Sequence, residues 1–318
     1  MVLILSSESD PHAVAVRDQL ASMSMPVVIL DLSSFPQESR LAITCDRGAG
    51  VRFGFQTSVE SIDLGQCRSI WWRRPQQPQM DPQIRRSAYV QFGLSECHAA
   101  LTGLWQSLNA FWINDPALDT AAQQKVYQLK IATELGLSIP DTLITNDPAR
   151  AEAFVQRYGA GRVICKAFTA TEAHWRETRL VRDDELAHIH SVKYAPVIFQ
   201  EYIEAIYDLR ITVIGPKVFA AAIHSQETEY KIDCRIDISH ARIEAVDLPP
   251  KIIHQIREFM GRLGLVYGAI DMRLRPDGSY VFFEVNPAGQ WLFIEGATGQ
   301  PITECLARAL ARGGPDSV

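Results

Sequence analysis

The chain opens with an apolar run at 2–5, a polar turn, an amphipathic stretch over 13–23 and a second apolar run at 27–32. Continuous apolar runs joined through a helix-period segment predict parallel strands buried on both faces, so this part reads as an open α/β layer. Residues 41–65 read as a meander and 69–72 as a short strand broken at Arg73-Arg74-Pro75. The stretch 82–108 reads as helix and 111–114 as a strand stopped by Asp115-Pro116. A second unit follows, with helix 123–135 ended by Gly136, strand 143–145 and a helix opened by Asp147-Pro148, where proline's missing N–H costs nothing. Strand 163–167 carries Lys166, residues 183–192 read as a short polar helix, and 197–201 reads as a strand. Strands at 209–214, 217–225 and 242–246 come next, then helix 250–263 with Gly264 as its C-cap. Strands 267–274 and 280–286 flank Asp277-Gly278, a strong hairpin signal. Units of 1–115, 116–200 and 201–312 are expected, with a disordered Gly/Pro-rich tail at 313–318.

Composition narrows the function. The 318 residues are 47% hydrophobic and 21% charged, the balance of a packed chain of about two domains at roughly 150 residues each. A formal charge of −6 argues against a general nucleic-acid binder. Six scattered cysteines without a CxxC pair argue against both a zinc site and a disulfide scaffold. With no basic segment before the first apolar run, and no apolar stretch approaching the roughly 18 residues of a membrane span, a cytoplasmic protein without membrane partners is expected. Only seven lysines occur, and none precedes Lys125.

The most informative segment is the hairpin IDMRLRPDGSYVFFEVNP. Side chains alternate along a strand, so Glu284 and Asn286 point the same way, and the facing strand supplies Asp271. Two carboxylates and an amide oxygen are hard ligands suited to Mg²⁺, which keeps waters and phosphate oxygens as its other ligands. The plain alternative is a solvated edge hairpin. Lys166 stands at the mouth of a strand and Lys125 on a helix, where solvent exposure is the default for each. Asp208 and Arg210, two apart, share one strand face, with Leu209 and Ile211 on the other. A carboxylate and a guanidinium projecting together suit a ribose hydroxyl and a phosphate or carboxylate, although a surface ion pair is the simpler reading.

Taken in order, Lys125, Lys166, QEYI (200–203), DLR (208–210), YGAID (267–271) and FFEVNPAGQW (282–291) resemble the ATP-grasp enzymes. The resemblance implies an ATP-grasp fold of the α/β (α+β) class: an N-terminal open α/β pre-ATP-grasp domain, a central α+β subdomain, and a C-terminal α+β subdomain that clamps ATP against it. WWRRP (71–75), GLSIPDTLITNDP (136–148), FQEYI and EVNPAGQW are further similar to the microviridin-type ligases, the graspetide synthetases that crosslink ribosomal peptides through side-chain esters or amides.

By that resemblance Lys125 and Lys166 hold ATP phosphates, Gln200, Glu201, Tyr202 and Ile203 form the segment that reads adenine, and Asp208 takes the ribose. Asp271, Glu284 and Asn286 hold Mg²⁺, expected as two ions. Arg210 steadies charge on an acyl phosphate. The triplet Asp233-Cys234-Arg235 resembles a DxR motif, with Arg235 placing the acceptor carboxylate and Asp233 deprotonating the nucleophile. The partner is a precursor peptide whose leader segment binds the central subdomain, near Asp183, Asp184 and Glu185, although acidic residues in a first turn also serve as ordinary helix caps. Arg73 and Arg74 either meet the peptide or brace a domain interface. A homodimer is expected on the same ground. Two rivals remain at this level: an ATP-grasp ligase acting on a small acid or amino acid, and a nucleotide-binding regulatory protein without catalysis.

Overall fold

The computed structural model describes residues 1–48, 50–168, 179–228, 231–232 and 236–314. The N-terminal part contains β1 (Val2–Leu5), α1 (Pro11–Ser22), β2 (Val27–Leu30), β3 (Arg40–Asp46), β4 (Gly50–Gln56), β5 (Ser61–Asp63), β6 (Ser69–Trp72), α2 (Ser87–Ser107) and β7 (Phe111–Ile113). Strands β2-β1-β6-β7 form one parallel sheet, and β3-β4-β5 a separate antiparallel one. All four residues of β1 are fully buried. Val2 and Ile4 join α1 through Ala13, Val16 and Leu20, while Leu3 and Leu5 join α2 through Cys97, Leu101, Leu104 and Trp105. A strand covered on both faces has no polar side, which is why its sequence is a run rather than an alternation.

The next stretch contains α3 (Pro116–Ala122), α4 (Lys125–Glu134), β8 (Thr142–Thr145), α5 (Pro148–Tyr158), β9 (Val163–Lys166), β10 (Arg179–Leu180), α6 (Asp183–Leu186) and β11 (Val197–Glu201). Strands β10-β9-β11-β8 make an antiparallel sheet packed on α5. Asp147 caps α5 with Pro148 in its first turn. The polar helix expected over 183–192 is two pieces, α6 and a 3₁₀ segment at Ile189–Tyr194. Helices α3 and α4 bury Ala122, Ile131 and Ala132 in the core of the last sheet rather than on this one, so packing assigns them to the C-terminal layer although they fall within 116–200.

That last sheet, β14-β13-β12-β15-β16, is antiparallel and is built from β12 (Tyr207–Ile214), β13 (Lys217–Ile223), β14 (Ile243–Ala245), β15 (Tyr267–Leu274) and β16 (Tyr280–Asn286). One face packs on α7 (Pro250–Leu263), burying Leu209, Ile211 and Val213 against Ile256, Phe259 and Met260. Gly264 ends α7 in the left-handed region (φ 68°), as the sequence requires. Gly278 turns the β15–β16 hairpin at φ 80°. Two helices beyond those expected follow, α8 (Leu292–Thr298) and α9 (Ile302–Arg312). Leu306 and Leu310 of α9 share the core of β1 and α1, so the end of the chain closes over its beginning. The tail expected to be disordered lies, from residue 315 on, outside the described residues. Among the described residues no helix is long and apolar enough to cross a membrane.

Candidate active site

A cavity of about 430 Å³ separates the four- and five-stranded sheets. Ile164, Lys166, Glu201, Tyr202 and Ile203 line one wall. Asp208, Arg210, Asp271, Arg273, Phe283 and Glu284 line the other, with Gln290 and Phe293 at its edge. Asp208 and Arg210 share that wall while Leu209 and Ile211 face the core, as strand alternation predicts.

The acidic pair depends on a bulge. Counting back from the turn, Leu274 pairs with Tyr280, Arg273 with Val281 and Met272 with Phe282. Uninterrupted, that register would set Glu284 against Ile270 and on the opposite face from Asp271. The register shifts between Asp271 and Met272, so Glu284 lies directly across from Asp271 and Phe283 is the extra residue. Phe282 enters the core against Phe259, with ring centroids 4.8 Å apart, while Phe283 lines the cavity with Arg273 at 5.7 Å from its ring. Helix α4 fixes the strand beyond the bulge: Gln128 Nε2 donates to Val285 O at 2.9 Å, and Gln128 Oε1 accepts from Val285 N at 2.9 Å. One turn earlier on the same helix face, Lys125 Nζ pairs with Glu284.

Two carboxylates opposed across strands repel each other. Each has a cation: Lys125 for Glu284, and Arg210, which donates to Asp271 Oδ1 at 2.6 Å and packs over Phe293 at 5.8 Å. Asp271 and Glu284 fit a hard divalent cation. Among the described residues no group of three acidic, His or Cys side chains is placed to cage a metal, and Mg²⁺ completed by water and phosphate needs none. Asn286, two residues on and on the same strand face as Glu284, is exposed at the strand end, its Oδ1 accepting from Ala288 N at 2.9 Å.

Asp208 is on the cavity wall but is also tied into the protein, accepting from Arg273 Nε at 2.6 Å and from Ser225 Oγ. Arg273 also donates to Ile203 O at 2.8 Å and Ile232 O at 3.0 Å, and lies 5.5 Å from the Tyr202 ring. It therefore joins the segment 201–203 to the five-stranded sheet. Sequence reasoning overlooked Arg273, although its spacing of two from Asp271 put it on the same face. Gln200 is buried, its Nε2 donating to Thr142 Oγ1 at 2.9 Å. Asp233, Cys234 and Arg235 lie outside the described residues. Asp184 and Glu185 are engaged locally, Asp184 with Arg182 at 3.0 Å and Glu185 with Arg179 and the Arg182 backbone N–H, while Asp183 opens the helix. A second cavity of about 600 Å³, with apolar walls of Phe168, Val181, Ile189, Val192 and Phe199, adjoins Glu185 and shares Lys166 with the first.

Arg73 and Arg74 brace the interface. Arg73, 1% exposed, donates to Asp10 Oδ2 at 2.9 Å, Ala288 O at 2.5 Å and Gly289 O at 3.0 Å, and Arg74 reaches Ala288 O at 3.3 Å. Beside them, His12 lies 4.4 Å from the Trp291 ring. Burial, aided by the Arg73 guanidinium and opposed by Asp10, lowers the His12 imidazole from 6.5 to about 4. The unfolded imidazole protonates near 6.5 and the folded one near 4, so the contribution to stability is complete above pH 6.5 and is lost as pH falls through this window. The loss amounts to about 3 kcal/mol. His12→Phe is expected to flatten denaturant-measured stability across that range, and an unchanged slope would assign the titration to another group.

Residues 122–310 match the model of the RimK-like ATP-grasp domain, and residues 1–119 that of the MvdD pre-ATP grasp domain. The macrocyclase MdnC of Microcystis aeruginosa, solved bound with precursor peptide MdnA, is 28% identical with a TM-score of 0.87, covering 97% of this chain and 98% of that one. A RiPP-associated ATP-grasp ligase of Chryseobacterium gregarium, solved with ADP and a leader and core peptide, is 27% identical with a TM-score of 0.89, covering 99% and 97%. Macrocyclase MdnB of Microcystis aeruginosa is 30% identical with a TM-score of 0.82, covering 97% and 98%. A probable alpha-L-glutamate ligase 2 of Shewanella amazonensis is 25% identical over 221 residues, 67% of this chain and 72% of that protein.

Proposed function

Because this chain belongs to the RimK-like ATP-grasp family and carries a pre-ATP-grasp domain before it, we propose that it is the ligase that crosslinks a ribosomally made precursor peptide. An Asp or Glu side chain of the bound peptide is phosphorylated at the expense of ATP. A Ser or Thr hydroxyl, or a Lys amine, of the same peptide then displaces phosphate and closes an ester or amide ring. The observation that carries the reading is the cavity lined by Lys166, Arg210 and the opposed Asp271–Glu284 pair. Mg²⁺ held there by Asp271 and Glu284 would offset the charge of the triphosphate.

Around it, Lys125 and Lys166 neutralise phosphates, the Glu201–Ile203 hinge faces the base, and Gln200 backs it from the buried side. Asp208, already paired with Arg273, reaches the ribose only if that pairing is shared. Asp271 and Glu284 supply the metal's carboxylates and Asn286 its neutral oxygen. Lys125, which pairs with Glu284 here, would turn to the phosphates if that carboxylate held a metal instead. Arg210 stabilises negative charge on the activated carboxyl group. Roles for Asp233 as base and Arg235 as acceptor clamp rest on the resemblance of the triplet alone. The apolar second cavity suits a leader segment better than the acidic turn does, with Glu185 at its rim.

The test uses a candidate precursor, a short peptide with repeated Thr/Ser and Asp/Glu sought among the reading frames neighbouring the gene, with ATP and Mg²⁺. Peptide-dependent ADP formation and a mass loss of about 18 Da per ring, the stoichiometry of condensation through phosphoryl activation, are expected. Mild alkaline hydrolysis then separates ester from amide. Turnover of free glutamate in place of the peptide would favour the small-acid ligase, and nucleotide binding without ADP formation from either would sink the enzyme reading.

A further inference from the structure

The segment between β16 and α8, residues 287–291, is held at almost every backbone position. Pro287 O accepts from Asn114 Nδ2 at 3.3 Å, Ala288 N donates to Asn286 Oδ1, and Gly289 O accepts from Tyr267 Oη at 2.8 Å as well as from Arg73. Gly289 itself passes so close to Ala269 that an added Cβ would lie 2.3 Å from the alanine's Cβ. Trp291 is fully buried, its Nε1 donating to Thr303 Oγ1 at 3.0 Å. Amid this, Gln290 is exposed and lines the cavity. Arg210, whose guanidinium covers Phe293 three residues further on, lines the same cavity.

Arg73 is an expensive way to hold this segment. Its guanidinium is buried between Trp71 and Trp291, 5.8 and 5.5 Å from their rings, and among the described residues its Nη2 has no hydrogen-bond partner. Burying such a charge costs several kcal/mol, and well-packed apolar residues of similar volume often serve stability as well or better. What a guanidinium adds is a rigid fork that binds Asp10 and two consecutive carbonyls at once.

We propose that Arg73 is a positioning residue and Gln290 a substrate contact: the N-terminal domain, through Asp10 and Arg73, sets the Ala288–Gly289 peptides so that the Gln290 carboxamide donates to the substrate carboxyl group being activated beside Arg210. This rests on the ligase reading above and adds a role for the N-terminal domain in the chemistry. A neutral donor there supports the reacting carboxyl without adding to the charge already supplied by Arg210.

Three measurements on the full-length chain test it. Hydrogen exchange of the amides of 288–291, measured without substrate, is expected to quicken at least about tenfold in Arg73→Lys, since an ammonium lacks the fork. Unchanged exchange would overturn the clamp. With the candidate precursor peptide of the test above, Arg73→Lys is expected to lose about 10²-fold in kcat, the scale of an ångström's misplacement, with affinity for a non-hydrolysable ATP analogue altered less than threefold. Gln290→Ala, at an exposed position that does not hold the fold, is expected to lose about tenfold or more in kcat, with the same analogue affinity and unchanged exchange. Gln290→Glu should lose more than Gln290→Ala, because it sets a carboxylate against a carboxylate. Wild-type rates in both Gln290 variants would overturn the substrate contact. Failure of the wild type to process the peptide would count against the proposed function, while the exchange result still decides the clamp.

Discussion

Glu284→Gln is expected to lower peptide-dependent turnover by on the order of 10³-fold, the rate equivalent of the several kcal/mol that a metal's charge stabilisation supplies. The substitution keeps the shape of the side chain and its place on β16, where the Gln128–Val285 bonds are untouched. It removes one of the two opposed carboxylates and the negative partner of Lys125. The Lys125–Glu284 pair is about one-quarter exposed at each side chain, so thermal stability should change by no more than about 1 kcal/mol. Loss of function with the fold intact is the signature sought. Titrating Mg²⁺ separates the causes: a metal ligand predicts a raised Mg²⁺ requirement and partial recovery at high Mg²⁺. Turnover equal to wild type at limiting Mg²⁺ would remove Glu284 from the metal site.

Arg210→Ala is expected to lose about 10² to 10³ in kcat, the cost of deleting one donor aimed at developing charge, with affinity for an ATP analogue altered much less. The guanidinium is fixed from below by Phe293 and from the side by Asp271, and its side chain is 13% exposed. It is therefore held in place before any substrate arrives. Its removal also leaves Asp271 without this cation, so less Mg²⁺ should be needed for half-maximal rate, the opposite direction from Glu284→Gln. Arg210→Lys should recover part of the rate, since charge returns without the planar fork. Equal losses in analogue affinity and kcat would make Arg210 a nucleotide clamp instead.

Much of the candidate site was legible because its residues obey local rules. Asp208 and Arg210 lie two apart among apolar neighbours, and strand alternation alone puts them on one face. Asp277-Gly278 marks the hairpin that carries the acids. Other parts were hidden because their partners are distant in sequence. Gln128 is an unremarkable helical residue until it meets Val285, 157 positions away. Asn114 reads as the end of a strand, yet its Oδ1 accepts from the N–H groups of Val266 and Tyr267 at 2.9 and 2.8 Å. Helix α9, by contrast, was legible by a local rule, since its buried Ile302, Cys305, Leu306, Ala309 and Leu310 recur at i, i+3, i+4, i+7 and i+8, the period of one helix face.

The chain by itself determined the order of most elements, the parallel N-terminal layer, the hairpin at Asp277-Gly278 and the types of side chain available for nucleotide chemistry, because hydrophobic period and turn residues are local. Only the tertiary structure decided how those side chains meet. Strict alternation places Glu284 on the wrong face, and it is the bulge at Phe283, fixed by Phe259 in the core and Gln128 on the helix, that turns it towards Asp271. The lysine-free first 124 residues show the same division. Their sequence offers no lysine for phosphate, yet through Arg73 they hold the segment that carries Gln290 to the cavity, because a guanidinium can grip carbonyls more than two hundred residues away once folding brings them within reach.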